Sequence, residues 1–265
     1  MKEYAQTNKK KIIAFIGILI GIGVLLITIN NKHFDVEYEV NSNINLDSKN
    51  IITQEEEIKL ILEENSNTIK FLANTFLIDD EVLKTKILEN YESLNILNED
   101  ENFDKIVIEY LFNLENTEKD LFSFKKIANT MDKDYIVNVL NYFCNLYPDV
   151  DFSLAAGIAQ VESGYTSLYM LSKNNIFGGM SKGRLISYKT IEYGVLKYVI
   201  LLNDGYFSKG LTTVDAIGRV YNPMINEQGQ KVAKTTWVNN VNNAMEEFLN
   251  YETIDTNMLI KLKNA

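Results

Sequence analysis

Glu162 closes an apolar helical run and is followed by Ser163 and Gly164, and no residue of the sequence is better placed for chemistry. A carboxyl in the last turn of a helix faces the negative end of the peptide dipole, which disfavours ionisation. Apolar neighbours that desolvate it raise its pKa further, so the acid can stay protonated near neutral pH. Such a carboxyl can donate a proton to the leaving oxygen of a glycosidic bond. Composition closes other routes. The chain has one histidine, His33, and one cysteine, Cys144. A Ser-His-Asp or Cys-His hydrolase needs a histidine that reaches its nucleophile, and His33 lies just beyond a membrane-like segment. A zinc site needs several His and Cys ligands, and Cys144 has no partner for an intramolecular disulfide. Carboxylates, hydroxyls and lysines remain.

The elements that must hold Glu162 are legible on either side of it. Residues 134–147 form an amphipathic helix through Ile136, Val139, Leu140 and Phe143, stopped by Pro148. Asp151 caps the next helix, which carries Phe152, Leu154, Ala155, Ile158, Ala159 and Val161. Ala155-Ala156-Gly157 keeps part of it narrow, as a central buried helix requires. Gly164 suits the left-handed position that ends a helix.

Gln160-Val161-Glu162-Ser163-Gly164-Tyr165, followed by Asn174-Asn175-Ile176-Phe177-Gly178-Gly179, resembles the "ESG…NNxFG" signature of bacterial endo-β-N-acetylglucosaminidases. These are peptidoglycan hydrolases with a lysozyme-like fold. The helix from Tyr193-Gly194-Val195 to Leu202, with Tyr206 after it, is similar to the next element of that family. Tyr221-Asn222 and then Trp237-Val238-Asn239-Asn240-Val241 resemble the close of lytic transglycosylases, which share the fold. The resemblance spans roughly residues 134–250. It implies that Glu162 is the general acid, that Asn175, Phe177 and Gly178 form a substrate-binding turn, and that Tyr221 faces the carboxyl or the sugar. No cofactor and no metal is expected.

A second carboxylate is harder to place. The glucosaminidases supply one from a β-hairpin lobe after the Asn-Asn-x-Phe-Gly turn, and Thr190-Ile191-Glu192-Tyr193 looks locally like that segment, so Glu192 is the candidate. Residues 180–187 leave no room for the hairpin's return strand, however. Glu192 is therefore expected on a solvated helix start, where an acid is favoured anyway. A single acid suffices for a lytic transglycosylase, in which the muramyl 6-hydroxyl is the nucleophile, or for hydrolysis assisted by an N-acetyl group.

The rest of the chain gives context. Three lysines at positions 9–11 precede an uncharged apolar run over residues 12–29. Eighteen helical residues span roughly 27 Å, about the thickness of a bilayer's hydrocarbon core. With no small-x-small cleavage site after it, the run reads as an uncleaved signal anchor, the N-terminus inside and the remainder outside; a cleaved signal peptide is the alternative. Residues 31–52 form a polar tether. Next come apolar stripes at helical spacing: Ile58, Ile61, Leu62, Ile69, Leu72 and Phe76, then a second and a third starting near Asp79 and Phe103. Over residues 30–130, ten lysines face twenty-two acids, whereas residues 131–265 carry twelve basic and thirteen acidic residues. No basic stripe exists to bind nucleic acid.

The expected fold is mainly α. Residues 1–30 are a basic tail and transmembrane anchor, 31–52 a tether, 53–130 an acidic helical module, 131–250 a lysozyme-like domain, and 251–265 a C-terminal tail. The expected activity is cleavage of β-1,4 bonds in peptidoglycan glycan strands, outside the membrane of a Gram-positive bacterium. The competing expectation is a non-catalytic wall-binding or scaffold protein on the same fold.

Overall fold

The computed structural model describes residues 53–98, 101–123, 127, 132–252 and 254–264. The apolar run at 12–29 and the tether at 31–52 lie outside them. Among the described residues no helix is long and apolar enough to cross a membrane.

The chain is mainly helical. The first apolar stripe is split between two helices, α1 (Gln54–Glu64) and α2 (Ser66–Phe76), at Asn65. Thr53 starts α1 with a capping box, accepting from the Glu56 amide while the Glu56 carboxylate accepts from the Thr53 amide. Leu77 ends α2 in the left-handed region at φ 58°, turning the chain so that Ile78 bridges Phe122. Asp79 caps α3 (Asp80–Leu94) and Asn102 caps α4 (Phe103–Thr117).

The second half places α5 (Lys133–Leu146) against α6 (Phe152–Ser163), where Asp151 accepts from the Leu154 amide at 2.8 Å. A short α7 (Leu168–Leu171) leads to strands β1 (Met180–Ser181) and β2 (Arg184–Leu185), and then to α8 (Ile191–Gly205). Helix α9 (Val214–Tyr221), the hairpin of β3 (Pro223–Ile225) and β4 (Lys231–Ala233), α10 (Thr235–Met245) and α11 (Thr256–Lys263) complete the order. Ala155 and Ala156 are fully buried, and the narrow face of α6 lies directly on α10 around Met245.

The boundary expected near residue 131 does not separate two bodies, because Ile52–Ala265 form one compact unit. The apolar stripes of α1 to α4 are buried in the same core as α5, α6 and α8. Phe71 meets Tyr142 edge-on at 5.2 Å, and Phe76 meets Tyr193 at 5.2 Å. Tyr142 donates to Asp104 at 2.6 Å, and Thr190 donates to the Thr75 carbonyl at 2.8 Å. Lys189 lies between Phe76, Phe122 and Tyr193 and pairs with Glu115 at 2.6 Å. Within residues 251–265, expected as a tail, Thr256–Lys263 instead form α11, whose Thr256 hydroxyl is 3.0 Å from that of Thr68 in α2. Small helical modules bury a low fraction of their surface when alone, so the shared core is the more stable arrangement.

This core gives a first prediction. An aromatic side chain buries roughly 150–250 Å², at about 25 cal/mol per Å². Baring Tyr142, Phe143 and Tyr193 therefore forfeits on the order of 10 kcal/mol, comparable to the whole stability of a domain. A fragment of residues 131–265 should show no cooperative thermal transition by circular dichroism, whereas residues 53–265 should melt sharply. A sharp melt of the shorter fragment would restore the two-body division.

Candidate active site

The last turn of α6 is pinned from several sides. Gly164 ends the helix at φ 58°, and Ser163 accepts from the Tyr165 amide at 3.1 Å. The Tyr165 hydroxyl, buried, donates back to the Ala156 carbonyl at 2.9 Å. Glu162 projects from this turn, half-buried, into a cleft of about 420 Å³.

The Asn174-Asn175 turn forms one wall. Asn175 is fully buried, and its amide donates to the carbonyls of Gly179 and Ile186 at 2.8 and 2.9 Å. Its carbonyl oxygen accepts from the amides of Phe177 and Gly179 at 3.4 and 3.1 Å. Asn175 thus holds the turn closed with groups that are not left over for a ligand. Phe177, also buried, stacks on Tyr198 at 3.6 Å and 9°. Gly178 sits at φ +71°, and a Cβ on it would lie 3.4 Å from Glu162 Oε2. The left-handed backbone conformation selects glycine there.

The other walls come from α8 and α9. Tyr198 donates to the Ala155 carbonyl at 3.0 Å, tying α8 to α6. Leu201 and Tyr206 follow along the cleft, and Tyr188 lines it from the segment before α8. Tyr221, at the end of α9, donates to the Phe177 carbonyl at 2.7 Å and stacks on Trp237 at 5.6 Å. Its hydroxyl binds the turn and not the carboxyl. Trp237 does reach the carboxyl: its indole N–H donates to Glu162 Oε1 at 3.0 Å.

Burial pushes the Glu162 pKa above its ordinary value, with the Trp237 hydrogen bond opposing the shift. Desolvation is thus the principal cause. A carboxyl so placed keeps its proton to higher pH than a surface glutamate and can deliver it to a basic atom in the cleft.

Glu192 departs from both expectations. It is absent from the residues lining the cleft, and it sits in the first turn of α8 but fully buried instead of solvated. Its Oε1 accepts from the Tyr135 hydroxyl and from Lys263 of α11, each at 2.7 Å. Thr190, the cap of α8, is bonded to Thr75, so the first turn of α8 is pressed into the core and its acid with it. The connection over 180–187 also departs from expectation, since it does include a return strand. Met180 pairs with Leu185 and Ser181 with Arg184, across a turn with Lys182 and Gly183 at φ 49° and 75°. This hairpin bears Lys182 and Arg184 and no acid. Among the described residues lining the cleft, Glu162 is the one carboxylate.

Trp237 is the site residue that the sequence did not mark. Its signal was available: it is the single tryptophan of the chain, within the segment already matched after Tyr221. Compared with known protein families, curated proteins and solved structures, the chain finds no match.

Two predictions follow from these surroundings. A carboxyl whose folded pKa is raised contributes stability that is present below its unfolded pKa and lost as pH rises through the folded one. Glu162→Gln removes that titration, so its melting temperature relative to the parent should rise between pH 4 and pH 7. A constant difference across this range would mean that Glu162 is not desolvated. Lys263→Met should cost about 2 kcal/mol in chemical denaturation, because it leaves a buried carboxylate without its cation, and Glu192→Gln about 1–3 kcal/mol. Costs of a few tenths would place Glu192 back in solvent.

Proposed function

We propose that this cleft cleaves β-1,4 glycosidic bonds of peptidoglycan glycan strands, with Glu162 as general acid on a lysozyme-like scaffold. The observation that carries the reading is Glu162 itself, a desolvated carboxyl at a helix end, open to a cleft walled by tyrosines. The order of motifs along the chain, Glu162-Ser163-Gly164 and then Asn174-Asn175-Ile176-Phe177-Gly178, supports the choice of substrate.

The protonated carboxyl gives its proton to the glycosidic oxygen as the bond to the anomeric carbon breaks. Positive charge develops on the sugar ring as the bond breaks. With no second carboxylate among the described residues lining the cleft, the nucleophile comes from the substrate, as the muramyl 6-hydroxyl or an N-acetyl oxygen. When the hydroxyl attacks, its proton passes to Glu162, which returns to its starting form and leaves an anhydro-sugar end. The tyrosine faces at 188 and 206 offer apolar surfaces for sugar rings. Three lysines before the run at 12–29 support a membrane anchor with the cleft on the outer side, where the glycan lies.

Glu162→Gln keeps shape and removes the transferable proton, so release of fragments from purified sacculi should fall at least about a hundredfold. Mass spectrometry of the parent's products should show anhydro-muramyl ends. Near-normal turnover by a folded Gln variant would remove Glu162 from the mechanism, and exclusively reducing ends would replace the internal nucleophile with water.

A further inference from the structure

The contact between Trp237 and Glu162 joins α10 to α6 across 75 positions of sequence, and both partners are tightly fixed. Trp237 is only 4 % exposed. Its ring is bounded on one side by Tyr221, itself tied to the Phe177 carbonyl. On another side it meets Gly218 of α9, where a Cβ would come within 3.0 Å of the indole. The direction of the N–H is therefore set by the packing of α9 against α10. That direction ends on Oε1. The other oxygen, Oε2, lies toward Gly178 and the cleft, and among the described residues it has no hydrogen-bond partner from the protein.

An indole N–H can donate and cannot accept. The better acceptor in a protonated carboxyl is its carbonyl oxygen, so the atom facing the indole is the one that carries no hydrogen. Resting on the acid role proposed above for Glu162, we propose that Trp237 is its positioning residue: the indole N–H fixes Oε1 as the acceptor and directs the transferable proton to Oε2, on the cleft side. The same bond survives proton transfer and strengthens as charge appears on the carboxylate. It offsets part of the penalty of desolvation, in keeping with the opposed effects of burial and the indole on this carboxyl. A cation in place of the indole would hold the carboxyl ionised; a neutral donor orients it without removing its proton.

Because the chain has one tryptophan, its indole emission reports this contact directly and without any assay of activity. In the full chain, Trp237 fluorescence should change with pH in a single step with a midpoint above 4.5, the ordinary glutamate value. The step should vanish in Glu162→Gln while circular dichroism stays unchanged over the same range. An identical step in both proteins, or none in the parent, would overturn the proposal whatever the substrate is. On purified sacculi, a general acid loses activity as pH rises through its pKa. Trp237→Phe should move that basic limb of the pH–rate profile upward, since the carboxylate loses its donor. If the Phe variant does not fold, replacement of Trp237 by its benzothiophene isostere keeps the shape and removes only the N–H. A limb that stays in place under a uniformly lower rate would reduce Trp237 to packing. Inactivity of the parent on sacculi, with the fluorescence step present, would sink the substrate assignment and leave the positioning role standing.

Discussion

The Glu162 carboxyl loses part of its water yet keeps one oxygen toward an open cleft, and the structure around it is organised by those two opposed demands. Burial alone would seal the acid in, and full exposure would ionise it. The last turn of α6 resolves this by presenting Glu162 at a helix end, where Gly164 turns the backbone away. Tyr221, Trp237 and the Phe177–Gly178 backbone then cover it from three directions. A Cβ on Gly178 would meet Oε2 at 3.4 Å, in van der Waals contact. Tyr188 and Tyr206 line the same cleft.

Holding those walls in register needs the rest of the chain. The Asn174-Asn175 turn is a loop with buried backbone, so its carbonyls and amides must find partners inside the protein. Asn175 supplies them for residues 177, 179 and 186, and Asn174 donates to the carbonyls of Ile127 and Tyr188 at 2.9 and 3.1 Å. Ile127 in turn donates its amide to the Lys189 carbonyl at 3.1 Å. The segment leading into α8 is thereby fastened to the chain that leaves the N-terminal helices. Lys189 and Glu115 add an ion pair beneath Phe76 and Tyr193. Helices α1 to α4 are thus part of the frame of the cleft.

How much of this the sequence discloses depends on the range of each interaction. Glu162 and its setting are local: an apolar period, a capping Asp151 and a terminal glycine all fall within fifteen residues, and all are present as read. The mainly helical character follows from the same short-range signals, although Asn65 splits one stripe into two helices without interrupting its apolar face. Contacts between distant segments are silent. Trp237 touches Glu162 because α9 and α10 fold back over α6, and no spacing rule encodes that. Glu192 reads as a surface acid at a helix start until Lys263, 71 positions later, is brought beside it by a helix that looks like a tail. The boundary near residue 131 fails for a related reason, since a polar stretch between apolar stripes cannot show whether the stripes share one core.

Glu162 and Glu192 make the decisive comparison, because the same residue type meets opposite surroundings in one compact unit. Glu192 lies in the core against an ammonium group and a phenol, with its Oε2 buried and without a hydrogen-bond partner. These contacts cross-link α8 to α5 through Tyr135 and to α11 through Lys263. Glu162 is half-buried, and the group that touches it is neutral and can only donate. A neutral donor leaves both protonation states accessible and merely biases which oxygen bears the proton. The partners therefore separate the two carboxyls: a cation and a phenol brace Glu192 between helices, whereas the indole holds one oxygen of Glu162 and leaves the other toward the cleft.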